Sequence, residues 1–303
     1  MNRCVVLAYA GGIHASAAIT WLIDMHGVEV VAVILDVGQG QDLGELHARA
    51  LAGGVSRAHV IDARDEFARD VLLPSLHAGS EGEGSYPAIA TLPRSIVARK
   101  LVEIARIEGA RTVAHGSNEA AWDDEIRAID STLRVIAPAR EWTMSDADLV
   151  AYARARGASV QPPSAPGCRV VQNLWGRMLS WEGDEAEPSI AHSTTARPAT
   201  EKSIVDIHFE SGVPTAINDV PMSPAELIEC LSLIAGQHGI GRVVAPVRGS
   251  RHVICDAPAA VVLHAAASAA GGPVTGDVCL RLANGHYTVL TPDDRQTLLV
   301  NYA

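Results

Sequence analysis

Residues 6–16 read VLAYAGGIHAS: an apolar strand, a Gly-Gly turn and a helical run that begins near His14. This order of elements lets a chain hold phosphate through its backbone. Gly11 and Gly12 allow the main chain to approach a ligand closely, and the helix that follows offers unpaired N–H groups to an anion. The same residues also describe an ordinary tight turn between a strand and a helix. The polar side chains expected in a phosphate loop are partly missing here, which leaves the backbone donors and Ser16.

The flanking pattern supplies the elements that would position such a loop. CVVLAY (4–9) is an apolar run of strand length, and ASAAITWLIDMHG (15–27) has helical spacing and stops at a glycine. EVVAVIL (29–35) is β-branched, as a buried parallel strand would be. A helix is predicted over 42–53, a third strand over 58–61, an amphipathic helix over 93–108 and a fourth strand over 110–116. Alternating strands and helices predict a doubly wound parallel sheet with ligands at the carboxyl ends of its strands.

AGSEGEGSY (78–86) predicts a mobile loop over the site, and GASVQPPSAPGCR (157–169) a linker. The reading divides the chain into a nucleotide-binding domain over 1–160 and an α+β domain over 168–303. In the second domain, 202–219 predicts a β-meander with a Gly-Val-Pro turn. Ser223 and Glu226 form a capping box at the start of a helix, and Asn284-Gly285 marks a hairpin.

The chain has 303 residues, 48% of them hydrophobic, and a net charge of −11. That supports a full core and argues against nucleic-acid binding, which needs clustered Lys and Arg. No apolar run is long enough to span a membrane. The first strand begins almost at Met1, so no signal peptide is expected. Five scattered cysteines (Cys4, Cys168, Cys230, Cys255, Cys279) contain no C-x-x-C pair, which fits a reducing cytoplasm.

Together these segments resemble the argininosuccinate synthase family of the ATP-pyrophosphatase superfamily, whose loop reads S-G-G-x-D-[ST]-S. The similarity continues through ILDVGQ (34–39), YPAIATLPRSIVARKLVEI (86–104), VAHG (113–116) and IAPAREW (136–142). It extends through NLWGR (173–177), GVPTAIND (212–219), SPAELIECLSLIAGQHGIGR (223–242) and the last hairpin. The resemblance implies a HUP-like ATP-pyrophosphatase domain followed by an α+β synthetase domain, with ATP and Mg2+ as cofactors. It also implies the family reaction: ATP adenylylates the ureido oxygen of citrulline, and the amine of aspartate then displaces AMP. Gly11, Gly12 and Ser16 fall on pyrophosphate-loop positions. Ala8, Leu35, Asp36, His115 and Gly116 fall where the nucleotide is held. Tyr86, Thr91, Arg94 and Arg127 match positions that contact the amino-acid substrates. Ser180 and Glu182 follow NLWGR, where Glu182 would keep an acidic role.

The departures are as informative as the matches. The loop serine is Ala10, its aspartate His14 and its second hydroxyl residue Ala15. A protonated His14 would partly replace the metal's charge; the alternatives are that the loop no longer cleaves ATP, or that ordinary ATP chemistry runs through the remaining backbone donors. The family's G-C-T-G-K-G-N-D-Q-V-R becomes GSNEAAWDDEIR (116–127). Glu119, Asp123, Asp124 and Glu125 would repel a dicarboxylate amine and suit a cationic or neutral one, unless they simply face solvent at a helix start.

The expectation is therefore a divergent AMP-forming C–N ligase acting on a small amino-acid-like substrate, in a specialised biosynthetic pathway. Arg127, Arg94, Tyr86 and Thr91 would hold the acceptor, and Asp123 or Asp124 the incoming amine. The alternative is a catalytically inactive nucleotide- or metabolite-binding homologue, or a partner subunit. No counterpart of the family's long C-terminal arm is read, so a homodimer is expected in place of the family tetramer.

Overall fold

The computed structural model describes residues 4–76, 89–160, 168–182, 201–246, 251–273 and 275–294. It divides into two compact units, one spanning Met1–Ala63 and Pro93–Pro163, the other Arg64–Leu92 and Ser164–Ala303.

The first unit is a doubly wound α/β layer. Its elements are β1 (Cys4–Ala8), α1 (Ile13–His26), β2 (Glu29–Asp36), α2 (Leu43–Ala52), β3 (Arg57–Asp62), α3 (Arg94–Ile107), β4 (Thr112–Ala114), α4 (Ala121–Ile129), β5 (Arg134–Ile136) and α5 (Asp146–Arg154). The five strands are all parallel, in the order β3-β2-β1-β4-β5. The strand order reverses between β1 and β4, the switch point at which such sheets open a crevice for ligands. β1 and β2 are apolar on both faces because helices cover both sides, so Cys4 to Leu7 and Val30 to Leu35 are buried.

Helix α1 has a broad buried surface, with every residue from Ala15 to Leu22 inside the core. It ends where Gly27 turns left-handed at φ 58° and donates its N–H to the Ile23 carbonyl. In the same last turn Asp24 accepts hydrogen bonds from Tyr152 (3.1 Å) and Arg156, tying α1 to the α5 region. Strand β4 is shorter than the expected 110–116, because pairing ends at Ala114 and leaves His115 and Gly116 in the connection that follows.

The second unit is α+β. Strands β6 (Cys168–Asn173), β7 (Gly176–Glu182), β11 (Arg242–Pro246) and β12 (Arg251–Asp256) form one antiparallel sheet, in the order β11-β12-β7-β6. Strands β8 (Ser203–Glu210), β9 (Val213–Ile217), β10 (Val220–Pro221), β13 (Gly276–Ala283) and β14 (His286–Val289) form another, in the order β10-β9-β8-β13-β14. Among the described residues the unit also holds the helices α6 (Pro224–Gln237) and α7 (Pro258–Ala270).

Ser223 and Glu226 make the reciprocal capping box at the start of α6, and Asn284-Gly285 turns the last hairpin with φ of 50° and 80°. The β8–β9 turn lies one step earlier than the Gly-Val-Pro reading. Ser211 and Gly212 carry the positive φ values of 51° and 82°, while Val213 and Pro214 already belong to β9. Proline's ring fixes φ near −65°, so it cannot supply the left-handed geometry a tight hairpin needs.

Helical residues 64–75 belong to the second unit. Asp65 accepts from the Ala225 N–H at 2.9 Å and Arg64 pairs with Glu229 at 3.2 Å, so both side chains dock on α6. The segment 78–86, read as a loop, and residues 161–167 of the 157–169 linker lie outside the described residues, while Cys168 and Arg169 at the end of that reading already pair in β6.

Candidate functional site

The connection after β1 is built from backbone. Tyr9 extends the sheet through its N–H to the Val33 carbonyl (2.9 Å), and its hydroxyl lies 3.3 Å from the buried Ser16 Oγ. Gly11 has φ +71°. A Cβ there would run into the Leu46 side chain and come within 2.8 Å of Arg49 Nη2, so α2 presses the loop from beneath. Gly12 is the N-cap of α1, exposed, with open space where its Cβ would be. No side chain caps the helix and its first turn carries no acid. The first-turn N–H groups therefore have no intrahelical acceptor, and their partial positive charge suits an anion.

The end of β4 meets this loop. A Cβ on Gly116 would sit 3.3 Å from the Ala15 nitrogen, so only a residue without a side chain fits there without displacement. At the end of β2 the turn closes on itself. Asp36 Oδ1 accepts from the Gly38 N–H (2.9 Å), Gln39 donates to the Leu35 carbonyl (2.7 Å), and Val37 donates to Gln39 (2.8 Å). Ala8 is the partly buried last residue of β1.

The connection after β4 is built from side chains. His115 is 2% exposed, and its Nδ1 accepts from the Ser117 N–H at 3.3 Å. Its Nε2 therefore carries the proton, which it donates to Asp123 Oδ1 at 3.0 Å. Asp123 is itself buried and accepts further bonds from Arg140 (2.9 Å to each oxygen) and Arg127 (3.2 Å). Burial pushes the His115 pKa below its ordinary value, against the opposing pull of Asp123. Burial works against Asp123 ionising, but the bonds from Arg140 and His115 prevail and hold its carboxyl below the usual range. The result is a neutral imidazole on a carboxylate braced by two guanidinium groups.

Trp122 stacks beside His115 with centroids 5.7 Å apart, and Arg94 lies 5.8 Å from the Trp122 ring. Arg94 also donates to Glu119 at 2.7 Å. The cluster thus gathers His115, Asp123, Arg127, Arg94 and Glu119, and adds Arg140. Sequence reading passed over Arg140, although it stands inside IAPAREW; its signal was a cation in a matched segment close to an acid-rich one.

The other sequence candidates have different surroundings. His14 pairs with Asp146 at 3.5 Å and lies beside Trp142, with its side chain 46% exposed. Asp124 is exposed on α4, so of the two neighbouring acids only Asp123 turns inward. Thr91, exposed, and Ser180, buried in β7, belong to the second unit. Glu182 ends β7, with its side chain outside the described residues, and Tyr86 lies outside them altogether. Among the described residues, no group of three or more His, Cys, Asp or Glu side chains could hold a metal ion, and no helix is long and apolar enough to cross a membrane.

Residues 4–159 match the family model described as arginosuccinate synthase N-terminal HUP domain, and residues 170–269 match that of the arginosuccinate synthase C-terminal domain. Argininosuccinate synthase from Streptococcus thermophilus is 41% identical over 252 residues, which cover 79% of this chain and 62% of that protein. The Bacillus subtilis enzyme of the same name is 39% identical over 254 residues, covering 80% and 63%. The chain therefore spans a little under two thirds of the length of these relatives. NAD+ synthetase from Burkholderia pseudomallei aligns at 20% identity with a TM-score of 0.34, covering 54% of this chain and 69% of that one, a likeness that carries no argument.

Proposed function

The chain belongs to the argininosuccinate synthase family, and from that premise we propose that it is an ATP-dependent, AMP-forming C–N ligase with a changed amine partner. The observation that carries the nucleotide half is the backbone cradle at the switch point. Gly11, Gly12 and Gly116 bring two strand ends and an uncapped, acid-free helix N-terminus together. Such a site fits a polyphosphate, because preorganised N–H groups stabilise developing negative charge without reorganising. Mg2+ would arrive on the phosphates of ATP and supply charge neutralisation there, since no protein side chain in the loop offers it a carboxylate.

In this reading an acceptor oxygen attacks the α-phosphorus of ATP. The bond to the β-phosphate breaks, and its electron pair leaves with pyrophosphate. An amine nitrogen then bonds to the activated carbon, the C–O bond to AMP breaks, and the amine releases a proton. The chain's own task is positioning and charge. Asp123 has its oxygens filled by His115, Arg140 and Arg127, so its role is to aim Arg127 and Arg140, whose remaining N–H groups can grip an acceptor carboxylate. Trp122 and helix α4 stand where the family has a glycine-rich aspartate-binding loop, and this supports an amine other than aspartate. Tyr86, Thr91, Ser180 and Glu182 stay candidates for acceptor contacts on family grounds.

Pyrophosphate release from ATP and Mg2+ in the presence of amino-acid pools tests the reading. Release that needs an amine other than aspartate is expected. No release with any pool would overturn the ligase. Release only with citrulline plus aspartate would overturn the changed partner. A second reading, a nucleotide-binding homologue without catalysis, is favoured by one observation, the pairing of His14 with Asp146 in place of a loop carboxylate. ATP binding without release would support it.

A further inference from the structure

We infer that Arg49 is an additional phosphate-binding residue, placed beneath the β1–α1 loop and reaching it from α2. This rests on the reading of that loop as a phosphate site. Three observations lead to it.

First, Arg49 is nine-tenths buried, with its side chain 10% exposed, yet its Nε and Nη1 have no hydrogen-bond partner. Buried guanidinium N–H groups without hydrogen-bond acceptors are costly to keep, so these two call for an anion. Second, the one ionic partner found for it among the described residues is Glu45, at 3.7 Å from Nε. That is beyond hydrogen-bond reach, and Glu45 is itself 53% exposed. Glu45 is moreover part of the α2 start, where its N–H is taken by the Asp42 cap. Third, the guanidinium lies directly under the loop. Its Nη2 would be 2.8 Å and its Cζ 3.5 Å from a Cβ on Gly11. The next residue, Gly12, opens the uncapped N-terminus of α1.

The loop has lost the hydroxyls of its family pattern at Ala10 and Ala15 and its carboxylate at His14. A cation fixed behind the glycine offsets part of that loss. Arginine offers five donors in a planar fork, so it can keep contact with Glu45 while other N–H groups turn to phosphate oxygens. The ligand class is the terminal phosphates of a nucleoside triphosphate, or pyrophosphate itself.

The test uses the full chain and inorganic pyrophosphate with EDTA present, measured by calorimetry and by thermal melting. Arg49→Met should weaken pyrophosphate binding about tenfold or more, the loss of a charged hydrogen bond. Arg49→Lys should retain most of the affinity. Adenosine, which has no phosphates, should bind both variants like the wild type. Without ligand, Arg49→Met should melt at or above the wild-type temperature, because a buried charge with two unsatisfied N–H groups and only a distant, exposed ionic partner has been removed. Equal pyrophosphate affinity in wild type and Arg49→Met overturns the inference. So does absence of pyrophosphate binding by the wild type, or a set of Met, Lys and Gln variants of which none folds. The two readings fail separately: pyrophosphate binding that depends on Arg49, without ligase turnover, sinks only the ligase. Full turnover with Arg49-independent binding sinks only the role of Arg49.

Discussion

The connections that follow β1 and β4 stand at the same end of one parallel sheet and are made of opposite materials. After β1 come Gly11 and Gly12, whose contribution is main-chain N–H groups and room. After β4 come His115, Asp123, Arg127 and Arg140, each held by another, with Trp122 and Arg94 packed alongside. Backbone donors recognise what every nucleotide shares, its phosphates, and tolerate side-chain drift at Ala10, His14 and Ala15. Side-chain clusters recognise what differs between substrates, so a change of substrate should be written there. The second connection also reads as more acidic than it is. Asp123 is neutralised by two arginines and Glu119 is bound by Arg94, leaving Asp124 exposed and Glu125 half-buried.

Four perturbations would break or sharpen this contrast. The largest effect is expected from Gly11→Ala. The new methyl meets Leu46 and Arg49 at a φ of +71°, so overpacking and left-handed strain add to about 3 kcal/mol. Urea denaturation should show the loss, and a change below about 0.5 kcal/mol would mean that the loop yields freely.

Next is Asp123→Ala, which strips two arginines and His115 of their shared acceptor. Breaking a buried pair costs about 3–5 kcal/mol. Because Arg127 and Arg140 stay partly in water, about 2 kcal/mol is the expectation, read by the same method. Asp124→Ala should leave stability unchanged; equal effects at the two positions would contradict the inward turn of Asp123 alone.

The third is a pH effect at His115. Its folded pKa lies below the unfolded value near 6.5, so between the two the unfolded chain binds more protons. Stability carried by the neutral imidazole is thus present above about pH 6.5 and falls as the pH drops toward the folded value. Asp123 acts in the same direction at lower pH, its contribution present above the unfolded carboxylate value near 3.8 and lost as pH falls through its lowered folded pKa. Between pH 7.5 and 5.5 the wild type should lose about 1 kcal/mol more than His115→Gln does. Parallel profiles of the two proteins in chemical denaturation would refute it.

The smallest effect concerns the loop side chains. Restoring a hydroxyl or a carboxylate with Ala10→Ser or His14→Asp should tighten MgATP about three- to fivefold, under about 1 kcal/mol. Calorimetry decides this, and weaker binding in both variants would show that the present loop is adapted as it stands.

Much of the scaffold was legible because its causes are local. The apolar runs of β1 and β2 and the capping box of Ser223 with Glu226 depend on neighbours within a few residues, as does the Asn284-Gly285 turn. The Gly-Val-Pro turn was misplaced by one step because composition marks a turn's neighbourhood, while the sign of φ decides which residues occupy it. The site was legible in part. Gly11 could be recognised as a position of close approach, but sequence reading assigned the approach to a ligand, whereas Leu46 and Arg49 also press on it from below.

What the sequence determined by itself was the order and type of elements and the family they compose, since period, caps and turn residues are properties of short stretches of chain. Only the tertiary structure decided that Asp123 is buried and Asp124 exposed, that Arg140 completes the cluster, and that Arg49 lies under Gly11 with its Nε and Nη1 lacking hydrogen-bond partners. The physical reason is the same in each case. Burial and charge pairing depend on which surfaces meet when helices fold back on the sheet, and residues far apart in the chain, such as Gly11 and Arg49, become neighbours only then.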